Sequence, residues 1–566
     1  MTAASLGSSF LPSLRFRPAA RSARSIVVWL SLYLACAANW PLWHELARIG
    51  GAPSTYLPSI ALMAVLTVCG SVALLSLTAW SRGMKPLWLA VVVLAAVVQH
   101  YMLEYRIVLD PSMLANAMQT DAHEARDLLG WRLLFDVLLV TVPAAVALWW
   151  IPIVPMRVAS QVWRNALLLL AAVALAAGAA TAMNRQLAPL MRNNVHLRYM
   201  MNPLAGIYSP TSVVVKPWFR HSRKLLALPG GVALGASYAA QTRPPLFVLV
   251  VGETARADHF ALNGYARDTT PELAARGVLS WRDVHSCGTN TLASVPCMFS
   301  PLGKTGFEAR KDDHRNLMDV LQAAGLAVFW LDNQPGGCKG VCDRVPHASA
   351  FDKLDAGVKS ALCDVDECLD DVMLKGLDER LAALPAERRS KGVVLVMHQM
   401  GSHGPAYYKR SATDAKRFLP ECKTNALADC SHAELVNAYD NSIAQTDRFL
   451  AHTIDWLMAQ SKNYDPAMLY LSDHGESLGE YGLFLHGVPY SFAPEVQKHV
   501  PMVSWLGEGM NARGGLSQPC MQAGLDTPLT HDNLYHTVLG LMDVAASTYK
   551  PTLDAFASCR GHAAGA

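Results

Sequence analysis

Leu246-Phe-Val-Leu-Val-Val251 runs straight into Gly252-Glu253-Thr254, an unbroken apolar stretch that ends in a carboxylate and a hydroxyl. Six apolar residues with no polar alternation, half of them β-branched, describe a strand covered on both faces, as in a parallel sheet. The pattern recurs three times. Leu326–Leu331 ends in Asp332-Asn333-Gln334, Gly392–Met397 ends in His398, and Met468–Leu471 ends in Ser472-Asp473-His474-Gly475-Glu476. Helix-like stretches such as Asn316–Ala323 and Ala433–Gln460 fall between them. This alternation predicts an α/β domain with a largely parallel sheet.

In such sheets functional groups gather just beyond the C-terminal strand ends. Glu253, Asp473 and His474 then form an oxygen and nitrogen donor set suited to Zn²⁺, although for Glu253 taken alone a helix cap is the stronger reading. His403 lies in a Gly-Ser-His-Gly-Pro turn past the third run, and His486 follows the Gly479 and Gly482 loop, so both are able to return to the same point. His347, His398 and His432 lack such companions and read as packing or surface residues.

The chain of 566 residues is 52% hydrophobic and only 16% charged, and the deficit of charge lies in the first 185 residues. Five stretches there meet the roughly 20-residue requirement for crossing hydrocarbon: 26–46, 57–79, 86–107, 131–153 and 165–183. The basic N-terminus (Arg15, Arg17, Arg21, Arg24) leads into an uncleaved first helix, because no small-residue cleavage site precedes a soluble domain. That terminus, the Arg82/Lys85 loop and the Arg157/Arg164 loop face the cytoplasm by the positive-inside rule. An odd number of spans then puts everything after residue 185 on the far side. The spans carry few ionisable groups beyond His44, Glu45, His100, Glu104 and Asp136, which fits an anchor better than a transporter or sensor. Residues 1–185 are thus expected as a transmembrane domain, 186–235 as a membrane-surface linker and 236–566 as the soluble α/β domain. A net charge of +3 gives no reason to expect a nucleic-acid partner. In the far-side loop Asn116, Thr120 and Glu124 are four apart and share a face if helical, either a functional strip or the solvated side of an interfacial helix.

Ten of the twelve cysteines follow residue 280, in the close pairs 287/297, 338/342, 363/368 and 422/430, leaving 520/559. Even, close pairing reads as a disulfide framework in an oxidising compartment, with a zinc cluster at Cys338 and Cys342 as the competing reading. The first pair encloses His285-Ser-Cys-Gly-Thr-Asn-Thr-Leu-Ala-Ser-Val-Pro-Cys-Met-Phe-Ser300, crowded with hydroxyls at an expected helix start, where amide groups favour an anion. A threonine there becomes a nucleophile when a metal ionises it. Spacing leaves Thr289 and Thr291 equally open, with Ser286 and Ser294 behind them.

These motifs resemble those of the lipid A phosphoethanolamine transferases, the group that includes the mobile colistin-resistance enzymes, within the alkaline phosphatase/sulfatase superfamily. The resemblance rests on Val-Val-Gly-Glu-Thr-Ala-Arg-Ala-Asp-His (250–259), Ser-Cys-Gly-Thr-Asn-Thr (286–291) with Ser-Val-Pro-Cys-Met-Phe-Ser (294–300), and Cys-Lys-Gly-Val-Cys-Asp-Arg-Val-Pro (338–346). It extends to Gly-Ser-His-Gly-Pro-Ala-Tyr-Tyr (401–408) and Ser-Asp-His-Gly-Glu-Ser-Leu-Gly-Glu-Tyr-Gly (472–482) with His486. It implies Glu253, Thr291, Asp473 and His474 as ligands of one zinc ion, a second being left open, and Thr291 as the nucleophile. His403 and His486 match catalytic positions that contact the transferred phosphate, Lys339 and Glu476 match substrate positions, and Asn116, Thr120 and Glu124 match a headgroup-binding strip. Gln334-Pro-Gly-Gly departs from the family in length and composition, so Asn333 and Gln334 stay outside the expected site. The implied reaction moves phosphoethanolamine from phosphatidylethanolamine to a lipid A phosphate through a phosphothreonine. It implies a monomer, multi-pass in the bacterial inner membrane with its catalytic domain in the periplasm, that lowers polymyxin binding. A phosphoglycerol transferase or a hydrolase of the same superfamily is the alternative.

Overall fold

The computed structural model describes residues 19–50, 53–118, 128–183, 187, 190–191, 194–219, 223–334, 336–352, 354–364 and 367–561. The chain divides into two compact units, Met1–His100 with Trp131–Ile207, and Tyr101–Gly130 with Tyr208–Ala566.

Among the described residues four helices are long and apolar enough to span a membrane: Tyr56–Ser76, Arg82–Glu104, Trp131–Trp150 and Val158–Ala182. The first expected span is instead a bent pair, α1 (Ala23–Ala37) and α2 (Trp40–Gly50), meeting at 52°. Counted as one span, the pair brings the total to five. The break lies at Ala38-Asn39, just before Pro41, and backbone groups freed in hydrocarbon must find partners. Three amide side chains supply them. Asn39 Nδ2 donates to Leu34 O and Asn202 O, both at 2.9 Å, and Asn202 Nδ2 donates to Ala38 O at 3.0 Å. Gln99 donates to Ala37 O at 2.9 Å and accepts from the Trp40 N–H at 3.2 Å. The chain is a multi-pass membrane protein.

The second unit is built on a seven-stranded sheet. Its strands are β1 (Pro245–Gly252), β2 (Leu279–Trp281), β3 (Ala327–Asp332), β4 (His347–Ser349), β5 (Val393–His398), β6 (Asp465–Ser472) and β7 (Met502–Leu506). The order is β2-β7-β6-β1-β5-β3-β4, with β7 antiparallel to both its neighbours and every other pair parallel. The four apolar runs of the sequence are the four adjacent parallel strands at the centre. Along β1, Phe247, Leu249 and Val251 feed one core, while Leu246, Val248 and Val250 feed the other. Both faces are covered, which is why the run carries no polar alternation.

Among the covering elements, α5 (His432–Gln460) supplies Leu435, Tyr439, Ile443, Phe449 and Leu457 to the second core, and α6 (Asp532–Leu541) supplies Leu534, Tyr535 and Val538 to the first. Helix α5 begins at a capping box, Ser431 with Glu434. Tyr105 and Ile107 also lie in the second core, and the Phe484 N–H donates to Tyr105 O at 3.2 Å. The segment that leads to α3 (Pro111–Met118) is therefore part of this unit.

Five disulfides cross-link the second unit: Cys287–Cys297, Cys338–Cys342, Cys363–Cys368, Cys422–Cys430 and Cys520–Cys559. Cys520–Cys559 closes the longest loop, 39 residues against 5 for Cys363–Cys368. By loop-closure entropy, replacing the first pair by serine lowers stability by about 4 kcal/mol and replacing the second by about 2 kcal/mol. Thermal unfolding in detergent should show the larger fall in midpoint for Cys520→Ser/Cys559→Ser; the reverse order would contradict the entropic account.

Candidate metal centre and nucleophile

Parallel pairing of β1 and β6 sets Gly252 opposite Ser472, so the next residues, Glu253 and Asp473, leave the sheet side by side. The Asp473 N–H closes a last rung on Gly252 O at 2.9 Å. A Cβ at Gly252 would collide with the Tyr470 ring, which is why glycine stands there. Beyond Glu253 the backbone turns through Thr254 in the left-handed region (φ 53°), a strained setting for a β-branched residue. Tyr439 of α5 holds that turn: its hydroxyl donates to Thr254 O at 2.7 Å and accepts the Arg256 N–H at 3.0 Å.

The strand-end loop after β5 is stitched to the same point. Ser402 N–H donates to Glu253 O at 3.0 Å, and Gly401 (φ 55°) approaches so closely that a Cβ would lie 2.6 Å from that oxygen. His403 is thereby carried toward His486, with ring centroids 5.3 Å apart, and His486 lies tilted against His474 at 4.4 Å. Buried Glu476 lies 3.3 Å from His486 Nδ1.

Helix α4 (Thr291–Met298) begins at Thr291, capped by Asn290, whose side chain accepts the Ala293 N–H at 3.0 Å. Thr291 Oγ1 stands 3.1 Å from Glu253 Oε2 and 3.5 Å from His474 Nε2. The rival hydroxyls are turned elsewhere. Ser286 donates to Gly288 O at 2.6 Å, Thr289 to Val488 O at 2.6 Å, and Ser294 to Asp473 O at 2.5 Å. Thr291 alone of these four faces the carboxylates and the imidazole.

Glu253, Asp473 and His474 are fully buried and offer donor atoms that all lie within 4.8 Å of one another. Their arrangement fits a divalent cation. Asp473 Oδ2 is buried without a hydrogen-bond partner, 3.3 Å from His474 Nε2. His474 Nδ1 lies 2.9 Å from Gly475 O, so it carries a hydrogen and leaves Nε2 facing the cluster, the orientation that metal-ligating histidines adopt. Two carboxylates and one imidazole suit Zn²⁺.

Of the other expected residues, Asn116 is buried on α3, while Thr120 and Glu124 lie outside the described residues. Lys339 (φ 50°) sits in the Cys338–Cys342 turn and lines a cavity of 440 Å³ bordered by Leu292 and Pro296 of α4. Gln334 was left out of the expected site, yet its amide donates to Glu253 Oε2 at 2.8 Å. Its position at the end of an apolar run was the available signal. Asn333 instead donates to Asp370 Oδ1 at 2.8 Å and to Cys368 O.

The electrostatics follow from burial. Burial alone would raise Glu253, but the hydrogen bond and charge of His474 outweigh it and hold the carboxyl well below its usual range. Burial, and then the charge of Glu253, pushes Asp473 up to about 7. Burial opposes a charge on His474, yet Asp473 and Glu253 lift it to about 10. Burial holds His486 below its ordinary value, with Glu476 only partly offsetting it. Without a metal, His474 is thus protonated at neutral pH, where a cation must sit, and binding displaces that proton. Apparent Zn²⁺ affinity should rise at least about tenfold per pH unit between pH 7 and 9, and more steeply below 7, where Asp473 releases a further proton. Chelator competition across pH measures this; an affinity independent of pH would contradict it.

The comparisons with known proteins agree along the chain. Residues 245–544 match the sulfatase family, and residues 67–217 match the family described as phosphoethanolamine transferase EptA/EptB. The chain is 35% identical to phosphoethanolamine transferase EptA of Salmonella typhimurium over 552 residues, 94% of this chain and 97% of that one. It is 36% identical to phosphatidylethanolamine transferase Mcr-1 of Escherichia coli over 537 residues, covering 93% and 96%. The solved integral membrane lipooligosaccharide phosphoethanolamine transferase A of Neisseria meningitidis superposes with a TM-score of 0.89 at 33% identity, covering 96% of this chain and 100% of that one. A sulfatase-like sheet, a membrane part that matches the EptA/EptB family, and likeness to these transferases over nearly the full length of each chain carry one conclusion: the chain belongs to the phosphoethanolamine transferases of the alkaline phosphatase/sulfatase superfamily.

Proposed function

We propose that this enzyme moves phosphoethanolamine from phosphatidylethanolamine to a phosphate of lipid A, by way of a covalent adduct on Thr291. The observation that carries this reading is the aim of Thr291 Oγ1, 3.1 Å from Glu253 Oε2 at the first residue of α4, while the neighbouring hydroxyls are spent on backbone carbonyls. Glu253, Asp473 and His474, with Thr291, would hold a zinc ion, which supplies Lewis-acid charge that favours the ionised threonine and offsets charge on phosphoryl oxygens.

In the first step Thr291 Oγ1 bonds to the donor phosphorus as the bond to the diacylglycerol oxygen breaks. His403 or His486 takes up the Thr291 hydroxyl proton and passes a proton to that oxygen, and the N-terminal end of α4 favours the anionic phosphoryl group. In the second step an oxygen of a lipid A phosphate bonds to the phosphorus and Thr291 is released. Glu476, and Asn116 with Thr120 and Glu124, are the groups we assign to the ethanolamine ammonium and headgroup, and Lys339 to substrate phosphate.

Functionally, residues 1–185 would serve as the anchor, 186–235 as a linker along the membrane surface and 236–566 as the periplasmic catalytic part, in a monomer of the inner membrane. Both substrates are lipids, so an anchored site avoids extracting either. Masking a lipid A phosphate with a cationic group lowers outer-membrane negative charge and weakens polymyxin binding.

Transfer from labelled phosphatidylethanolamine to purified lipid A tests the reading. Thr291→Ala should lose at least ~10³-fold in rate while Thr289→Val retains substantial activity; full transfer by Thr291→Ala would sink the nucleophile assignment. Release of phosphoethanolamine to water without lipid A labelling would instead favour a hydrolase. Asp473→Ala/His474→Ala should purify without zinc, and unchanged zinc content would remove the metal assignment.

A further inference from the structure

His531 is completely buried immediately before α6, far in sequence from every residue placed in the site above. Its ring lies between the two halves of that site. Nε2 is 2.9 Å from Ser472 O, the residue before Asp473 and His474. A carbonyl oxygen only accepts, so Nε2 carries the hydrogen. On the other side Nδ1 accepts the Cys287 N–H at 3.1 Å, at the entry to the nucleophile loop. Ser294 of α4 lies 3.2 Å from Nδ1 and reaches Asp473 O at 2.5 Å. The ring is therefore one rigid body, donor on one edge and acceptor on the other, that spans from the loop and helix bearing Thr291 to the strand end bearing two of the three charged donors. The Cys287–Cys297 bridge closes the loop on itself, whereas His531 ties it to the sheet.

We propose that His531 is a positioning residue for phosphoryl transfer: as a neutral, Nε2-protonated imidazole it sets the separation between Thr291 Oγ1 and the Asp473–His474 strand end. The proposal rests on the reading of Thr291 as nucleophile. Reacting atoms must be held to a few tenths of an ångström, and a misplacement of about 1 Å costs on the order of 100-fold in rate. The hydrogen-bond pattern explains why a histidine suits this place. Asparagine can keep the acceptor toward Cys287, and glutamine can keep the donor toward Ser472, but neither spans both.

The test uses the full-length, zinc-loaded enzyme in detergent, with His531→Ala, His531→Asn and His531→Gln, and rates expressed per bound zinc. The alanine variant should lose about 100-fold in kcat, with the KM for phosphatidylethanolamine within twofold of wild type. The asparagine and glutamine variants should each lose about tenfold, since each retains one contact; they carry the test where alanine fails to fold. Single-turnover labelling of Thr291 should slow in parallel. Any variant that keeps wild-type kcat per zinc, or raises KM at unchanged kcat, overturns the proposal. Nitrogen-15 NMR of histidine-labelled enzyme, with the His531→Asn spectrum as subtraction, should show a ring protonated at Nε2 and bare at Nδ1. The opposite tautomer also overturns it. A wild-type enzyme that forms no adduct on Thr291 would instead refute the nucleophile, and the NMR result still decides the tautomer.

Discussion

One rung of the central sheet governs this site. With Gly252 opposite Ser472, two carboxylates emerge side by side into a fully buried space, and His474 follows the second. Burying like charges together is costly unless something cationic stands between them. In the bare chain that something is the proton on His474; in a loaded enzyme it would be a divalent cation. Backbone N–H groups of Thr254 and His474 occupy Asp473 Oδ1 and the Gln334 amide occupies Glu253 Oε2, while Asp473 Oδ2 keeps its lone pairs toward the cluster. The strained Thr254 turn, the Tyr439 hydroxyl that holds it and the glycine at 401 are all consequences of bringing backbone that close.

The proposal of Thr291 as nucleophile turns on where chemically similar hydroxyls find partners. Ser286, Thr289, Thr291 and Ser294 lie within nine residues, and three of them donate to main-chain carbonyls from distant parts of the fold or the local turn. Thr289 bonds Val488, in the loop just after His486, so the same contact that removes Thr289 from the chemistry also anchors the histidine loop. Ser294 likewise spends its hydrogen on the residue that carries a charged donor. Under the proposed chemistry, the flanking hydroxyls serve as the scaffold of Thr291.

The membrane unit obeys the same accounting of polar groups under a harsher solvent. A break at Ala38-Asn39 inside an apolar helix is sustained because Asn39, Gln99 and Asn202 serve the carbonyls and amide it frees. Asparagine and glutamine in such a setting have a structural reason to be there before any functional one is sought. The segment 101–118 follows a spanning helix in sequence yet contributes Tyr105 and Ile107 to the core of the α/β unit.

Much of this was legible in the chain. Apolar runs without alternation identify the four central strands, because a strand covered on both faces has nowhere to place a polar residue, and those runs end in the charged donors. Long apolar stretches reveal the spans, because hydrocarbon tolerates no unpaired backbone. The short strands at Leu279–Trp281, His347–Ser349 and Met502–Leu506 were not legible, since three to five residues carry too little periodicity and their pairing is set by neighbours. The bend at Asn39 was hidden because its partners, Gln99 and Asn202, are remote in sequence. Sequence by itself determined which residue types stand at the strand ends and that one of the clustered hydroxyls was suited to attack. Only the tertiary structure decided that Thr291 and not Thr289 points inward, that Gln334 holds Glu253 and that His531 spans the site, because each depends on a hydrogen bond whose two ends lie far apart along the chain.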